Sequence, residues 1–192
     1  MKVPITANED AATLLQRVGL SLKEAHQQLE AMQRRAHEPI AIVGLGLRFP
    51  GADSPQTFWK LLQNGVDMVT EIPSDRWAVD EYYDPQPGRP GKMYIREAAF
   101  VDAVDKFDAS FFDISPREAA NIDPQHRMLL EVAWEALERA GIAPSQLMDS
   151  QTGVFVGMSE NDYYAHLENT GDHHNVYAAT GNSNYYAPGR LS

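Results

Sequence analysis

Asp123-Pro-Gln-His-Arg-Met-Leu-Leu-Glu-Val-Ala-Trp-Glu-Ala-Leu-Glu-Arg-Ala-Gly141 is the stretch that decides the fold, because it carries its own start and stop signals. Asp123 suits the N-cap and Pro124 the first helical position, where a missing N–H costs nothing. Leu130, Ala133, Trp134 and Leu137 fall at i, i+3, i+4 and i+7, so the spacing predicts a helix with one core-facing stripe. Glu135 and Arg139 form an i,i+4 pair in the favourable order. Gly141 suits the left-handed position after the helix, and Pro144 follows it. Arg127 and Glu131 share the same spacing, which assigns Arg127 to a local ion-pair network. His126 has no cysteine or second histidine at metal spacing and reads as a surface or capping residue.

Working outward, Ser115-Pro-Arg-Glu118 is a capping box, and Pro116 and Pro124 together predict two helical pieces with a bend. Residues 40–43 (Ile-Ala-Ile-Val) are an apolar, mostly β-branched run bounded by Gly44, suited to a buried strand. The following Gly44-Leu-Gly-Leu-Arg-Phe-Pro50 lacks the third glycine of a dinucleotide loop. Phe49-Pro50-Gly51 also interrupts where that fold must start a helix, so a structural turn is expected. Ser54 and Pro55 open the next helix, expected to bury Phe58, Leu61 and Leu62 and to end at Gly65. Asp53 and Asp67 read as turn or cap residues.

Residues 66–106 are rich in turn formers, including Pro73, Pro85, Pro87, Gly88, Pro90 and Gly91. They read as a surface excursion held down by Trp77, Tyr82, Tyr83 and Tyr94. Downstream, residues 154–156 (Val-Phe-Val) between two glycines predict a second strand. Ligand sites in open α/β sheets form beyond the carboxyl ends of strands, which sets Met158, Ser159 and Glu160 at a rim. His173 and His174, beside Asp172, would point to opposite faces of a strand, so no metal site is expected there. The body is therefore α/β.

Composition narrows the function classes. The net charge is −11, which disfavours a nucleic-acid or anionic-membrane surface. Residues 1–37 hold five basic and four acidic side chains, so the acidic excess lies wholly in the remainder. No apolar run approaches the roughly 20 residues that span a bilayer, and Met1-Lys-Val-Pro-Ile-Thr-Ala7 lacks the apolar core of a secretory signal. A cytoplasmic location is expected. With no cysteine in the chain, disulfides and cysteine-based zinc sites are excluded.

The first 37 residues differ in character. Leu15, Val18, Leu22, Ala25, Leu29 and Met32 alternate three- and four-residue steps, as coiled-coil a and d positions do. Gly19 can end a helix and Ser21-Leu-Lys-Glu24 can cap another, so two helices are expected, over residues 8–18 and 22–36. The pattern by itself fits an amphipathic extension packed on its own domain as well as an intersubunit docking element.

Several of these words, in order, resemble the β-ketoacyl synthase (ketosynthase) domain of modular type I polyketide synthases. The helix of residues 123–141 is one. Glu38-Pro-Ile-Ala-Ile-Val-Gly-Leu-Gly-Leu-Arg-Phe-Pro-Gly51 is similar to the opening strand and loop, and Ser54-Pro-Gln-Thr-Phe-Trp-Lys-Leu-Leu62 to the first helix. Phe107-Asp-Ala-Ser-Phe-Phe-Asp-Ile-Ser-Pro-Arg-Glu-Ala119, Gly153-Val-Phe-Val-Gly157 and Gly189-Arg-Leu-Ser192 continue the likeness, which covers residues 38–192. Pro188 departs from it, standing where the family more usually has glycine or alanine; a proline there disfavours the local helix.

The resemblance implies the first half of a thiolase fold, αβαβα in layers and normally homodimeric, preceded by N-terminal docking helices at residues 1–37. Those helices resemble the ones that receive the C-terminal docking segment of an upstream polyketide synthase subunit, with Leu15, Val18, Leu22, Ala25, Leu29 and Met32 as the interface. The implied chemistry is a decarboxylative Claisen condensation between an acyl thioester and a malonyl-type extender. No cofactor binds directly; both substrates ride on the phosphopantetheine of acyl carrier protein. Met158, Ser159, Thr180, Gly181 and Asn182 are carried over as candidate pocket lining, with a polar connector as the competing reading. The family's nucleophilic cysteine and catalytic histidines and lysine lie beyond residue 192, so no catalytic residue is assigned and residues 38–192 are expected to be inactive alone. A non-catalytic docking or dimerisation scaffold is the alternative. An unrelated nucleotide-binding protein is a third reading, disfavoured by the missing glycine fingerprint.

Overall fold

A computed structural model describes residues 11–171 and 174–192. The chain divides into two compact units, Met1–Ile42 and Val43–Ser192.

In the first unit, α1 (Ala11–Ala36) is one helix of 26 residues. This corrects the expectation of two: the helix runs through Gly19 and Ser21 without a break. A helical glycine costs about 1 kcal/mol relative to alanine, whereas ending one helix and nucleating another leaves further backbone groups unpaired. Residues 8–10 of the expected first helix lie outside the described residues. The expected strand at 40–43 is also absent. Ile40 is 94% exposed and Ile42 86%, and the run has no ladder neighbour among the described residues. An isolated β-branched run has no intrasegment hydrogen bonds to hold it, so propensity alone makes no strand.

The second unit is built around helices. α2 (Pro55–Asn64) starts and stops as its sequence dictates: the Ser54 side chain accepts from the Thr57 N–H, and Gly65 closes it at φ 59°. None of its residues is fully buried, contrary to expectation. Phe58 is half-buried, stacked on Phe49 at 4.5 Å, while Leu62 is 56% exposed. Asp67 makes the expected turn, accepting from the Val69 N–H at 2.9 Å.

The excursion contains order that its turn formers concealed. β1 (Val69–Glu71) pairs antiparallel with β2 (Glu97–Ala99), Val69 opposite Ala99 and Glu71 opposite Glu97. A short helix, α3 (Val79–Tyr82), lies between them in sequence. Its aromatics are anchors of a partial kind: Trp77 meets Phe100 edge-on at 6.2 Å, and the Arg96 guanidinium lies 4.7 Å from the Tyr83 ring centroid. Tyr82 and Tyr94 remain about half exposed.

The two-proline prediction matches the helices seen. α4 (Pro116–Ala119) is capped by Ser115, whose Oγ accepts from the Glu118 N–H. α5 (Pro124–Ala140) is capped by Asp123, which accepts from the Gln125 N–H, and closed by Gly141 at φ 67°. Across α5 lies the segment after residue 42. A Cβ on Gly44 would stand 2.1 Å from the Ala136 carbonyl oxygen, and one on Gly46 2.2 Å from that of Val132. Arg139 donates to the Leu45 carbonyl at 2.8 Å, and Arg48 grips both oxygens of the Glu135 carboxylate. The expected Glu135–Arg139 pair is present at 3.4 Å.

Of the α5 stripe only Leu130 is fully buried. Ala133, Trp134 and Leu137 line one side of an open apolar groove of about 510 Å³, with Val43 and Val154 among the others. The second expected strand, 154–156, is not formed either; it flanks this groove with Phe155 96% exposed. α6 (Tyr163–Thr170), α7 (Val176–Asn182) and α8 (Tyr186–Leu191) complete the unit. Pro188 is accommodated in the first turn of α8, where its missing N–H has no intrahelical partner to lose.

Candidate functional site

The junction between α4 and α5 holds the largest fully buried side chains among the described residues. Ile122, Asp123 and His126 are at most 2% exposed. α7 seats on this junction through its last residues. The Asp123 N–H donates to the Gly181 carbonyl at 2.9 Å, and Asn182 Nδ2 donates to the carbonyls of Asn121 at 2.9 Å and Ala178 at 2.7 Å. Only glycine fits at 181, since a Cβ would stand 2.3 Å from the Asn121 oxygen. Asn175 caps α7, accepting from Tyr177 and Ala178 while its Nδ2 donates to Asn121 Oδ1 at 2.8 Å. From α8, Arg190 donates to Glu118 Oε1 at 3.1 Å and to the Thr180 carbonyl at 3.4 Å.

This scaffold presents the loop after α7 opposite the loop after residue 156. Asn184 Nδ2 donates to the Ser159 carbonyl at 2.6 Å, tying the two together. Between them opens a cleft of about 550 Å³ lined by Ser159, Glu160, Asn161, Tyr164 and residues 182–185. Of the five carried-over residues, the structure brings Ser159 and Asn182 to this cleft. Gly181 lies behind it as a packing residue. Thr180 is half-buried with its carbonyl held by Arg190, and half-buried Met158 is not among the lining. Asn161, Tyr164, Ser183, Asn184 and Tyr185 also line the cleft and were not among the candidates. Asn184 lay within the polar segment 180–184; the tyrosines gave no signal in a stretch without clear periodicity.

His126 corrects its expectation as a surface or capping residue: it is 1% exposed. Neither ring nitrogen has a hydrogen-bond partner among the described residues. Burial lowers its pKa below the ordinary 6.5; nearby Asp123 pulls it back up and Arg190 pushes it down. Arg127 corrects a second expectation. Instead of pairing with Glu131 it lies over the Tyr163 ring, 5.6 Å from its centroid. His173 lies outside the described residues, and among the described residues no group of three His, Cys, Asp or Glu could hold a metal.

On α1, Leu15, Leu22 and Met32 are at least 70% exposed, and Val18, Ala25 and Leu29 are also exposed or nearly so. The same helix carries Glu30 between His26 at 3.3 Å and Arg34 at 3.6 Å. Among the described residues no helix is long and apolar enough to cross a membrane.

Residues 37–192 match the family model for the N-terminal domain of β-ketoacyl synthase. The chain belongs to the β-ketoacyl synthase family. It is 49% identical over 163 residues to a mycocerosic acid synthase-like polyketide synthase of Mycolicibacterium smegmatis, covering 84% of this chain and 8% of that protein. It is 46% identical over 189 residues to the spectinabilin polyketide synthase system protein NorC of Streptomyces orinoci, covering 97% and 8%. Among solved structures, the oxazolomycin ketosynthase domain OzmH KS7 of Streptomyces albus matches with TM-score 0.71 and 39% identity, over 79% of this chain and 26% of that one. A ketosynthase from module 6 of the bacillaene synthase of Bacillus subtilis matches with TM-score 0.67 and 36% identity, over 79% of this chain and 24% of that one. The fold is thus that of the first part of a ketosynthase thiolase-fold domain, and the chain spans about a quarter of such a domain's chain and under a tenth of these curated relatives. The ketosynthase family is one of condensing enzymes.

Proposed function

We propose that these residues form the front of a polyketide synthase ketosynthase that joins an acyl thioester to a malonyl-type extender. The observation that carries this reading is the family match across residues 37–192 together with near-half identity to polyketide synthases. In such a reaction a cysteine thiolate takes the acyl group from the phosphopantetheine thiol of acyl carrier protein, releasing that thiol. The extender, on a second carrier, loses carbon dioxide, and its carbanion attacks the acyl-cysteine carbonyl. The thiolate leaves, and the carrier holds a β-keto thioester longer by two backbone carbons. Developing negative charge on the carbonyl oxygen is met by histidines and backbone N–H groups. Residues 1–192 contain no cysteine, so the nucleophile is assigned to a longer polypeptide that includes them. Here Ser159 and Asn182 line the acyl pocket, and Met158, Thr180 and Gly181 shape its wall. No cofactor is required beyond the carrier-borne phosphopantetheine. The working protein is a cytoplasmic homodimer, and α1 receives the C-terminal segment of an upstream polypeptide along Leu15, Val18, Leu22, Ala25, Leu29 and Met32.

A non-catalytic docking scaffold is the second reading, favoured by the exposed apolar seam of α1. Two measurements separate them. The reading frame past codon 192 is expected to encode a cysteine among small residues and two later histidines. The polypeptide it encodes is expected to gain one acyl mass on incubation with a simple acyl thioester. An intact reading frame without that cysteine, or a protein whose mass never shifts, leaves the scaffold.

A further inference from the structure

Around the first turns of α5, the excursion and α6 border a second, open groove of about 590 Å³, which meets the cleft described above at Glu160. Its walls are aromatic and aliphatic, chiefly Trp77, Phe100, Met128 and Tyr163. Trp77 is 40% exposed and meets Phe100 edge-on, so part of its indole faces the groove. Three carboxylates also line it: Asp123, buried and spent on capping α5, and Glu160 and Asp162, which are exposed and have no ion-pair partner among the described residues. The one arginine in the lining, Arg76, is already committed, donating to the Val101 carbonyl at 2.6 Å and lying 5.8 Å from the Phe100 centroid. His166 is stacked on Tyr163.

An apolar trough bordered by uncompensated carboxylates and an open indole suits one kind of group: a cation on a hydrocarbon stem. The ring face attracts the positive charge, the carboxylates pair with it, and the stem covers the apolar floor. A negatively charged or purely aliphatic partner would leave the two carboxylates buried without a counter-charge. We infer that this groove docks a segment of a partner polypeptide that presents an arginine or lysine next to an aliphatic side chain. The inference does not rest on the condensation reading: Glu160 lies at the edge of both the cleft and this groove, while Trp77, Phe100, Asp162 and Tyr163 belong to the groove and not to the cleft lining.

The 192-residue chain, labelled with nitrogen-15, is titrated with acetyl-leucyl-arginine amide and, separately, with acetyl-leucyl-glutamate amide, and the Trp77 indole N–H is followed by NMR. The arginine peptide is expected to shift that signal and to bind about five-fold more tightly than the glutamate peptide at low salt, a preference that about 0.5 M salt erases. Glu160→Gln combined with Asp162→Asn is expected to bring the two peptides within about two-fold of each other. Both residues are exposed and their side chains bear no ion pair among the described residues, so the signal dispersion of the variant should match the parent and certify its fold. Equal affinities in the parent chain, or shifts that spare Trp77, overturn the inference. So does a Trp77 signal that moves with protein concentration before any peptide is added, which would assign the groove to a second copy of the chain.

Discussion

The helix α5 and the run 154–156 are both apolar, and they line the same groove, yet one is fully formed and the other lies open with Phe155 almost wholly exposed. The difference is where each finds its hydrogen bonds. α5 satisfies its own backbone, borrows Asp123 for its first N–H groups and ends on Gly141, so it is complete before anything packs on it. A strand has no such self-sufficiency; its N–H and C=O groups need a neighbour, and residues 40–43 and 154–156 have none among the described residues. Helical parts of this chain therefore close most backbone bonds within themselves, and its strand-forming runs are conditional on a neighbour.

The comparison can be broken most decisively at two glycines. Gly181 and Gly44 both abut a backbone carbonyl oxygen, at 2.3 and 2.1 Å from a built Cβ. Gly181→Ala should cost about 3 kcal/mol, because α7 is bonded to the junction on both sides and cannot retreat. Gly44→Ala should cost under about 1 kcal/mol, since a segment without ladder bonds can lift away from α5. Urea midpoints of the two variants measure this; equal losses would mean that the 43–46 segment is as firmly held as α7.

A smaller effect sharpens how that segment is held. Arg48 keeps the Glu135 carboxylate below its ordinary pKa, first by hydrogen bonding and then by charge, with burial opposing. A lowered carboxylate pKa contributes stability above its unfolded value, near 4.5, that is lost as pH falls through the folded value. Arg48→Gln should therefore cost about 1 kcal/mol at pH 7, near the surface-pair value because both side chains keep some exposure, and should flatten the stability profile below that unfolded value. His126 gives a test of opposite origin. Its folded pKa is lowered by burial, so the unfolded chain takes up the proton first. Stability should be full above about pH 6.5 and fall as pH drops from there towards the folded value. His126→Leu should remove that slope, and a His126 ring that titrates normally in an NMR pH series would contradict its burial. The smallest effect on the body is expected from Leu22→Asp. It should leave the unfolding of Val43–Ser192 unchanged while abolishing any rise of helicity with concentration in a peptide of residues 1–37. Helicity that ignores concentration in the parent peptide would count against α1 as a pairing helix.

What could be read from the chain follows the same division. Ser54, Ser115 and Asp123 as caps, and Gly65 and Gly141 as stops, act within a few residues of themselves, so their roles are written locally. The strands at 40–43 and 154–156 were legible as tendencies but depend on partners that a local pattern cannot supply. The break expected at Gly19 failed because a modest propensity cost was set against the larger cost of two extra helix ends. The burial of His126 was not legible at all: one polar residue in a first turn carries no period, and its surroundings come from α7 and α8, far along the chain. At the cleft, Ser159 and Asn182 were named through the family resemblance, with Ser159 also placed at a rim by the strand expected at 154–156. The tyrosines beside them were set by the approach of two loops that only the junction of α4 and α5 arranges.

The continuity of α1 also fixes a length scale. From Leu15 to Met32 the exposed seam runs along an unbroken rod, about 26 Å at about 1.5 Å per residue. A helix laid against all of it must itself be nearly five turns long. Ala25 is the one small side chain in the row, with Leu22 and Leu29 on either side. It leaves a notch near mid-length, which in the proposed docking a bulky partner residue would fill in a single alignment. Sliding the partner by one heptad, about 10 Å, drives that residue onto a larger side chain instead. In the proposed docking the seam would act as a ruler with one mark on it, telling a matched helix from an equally greasy one that is out of step.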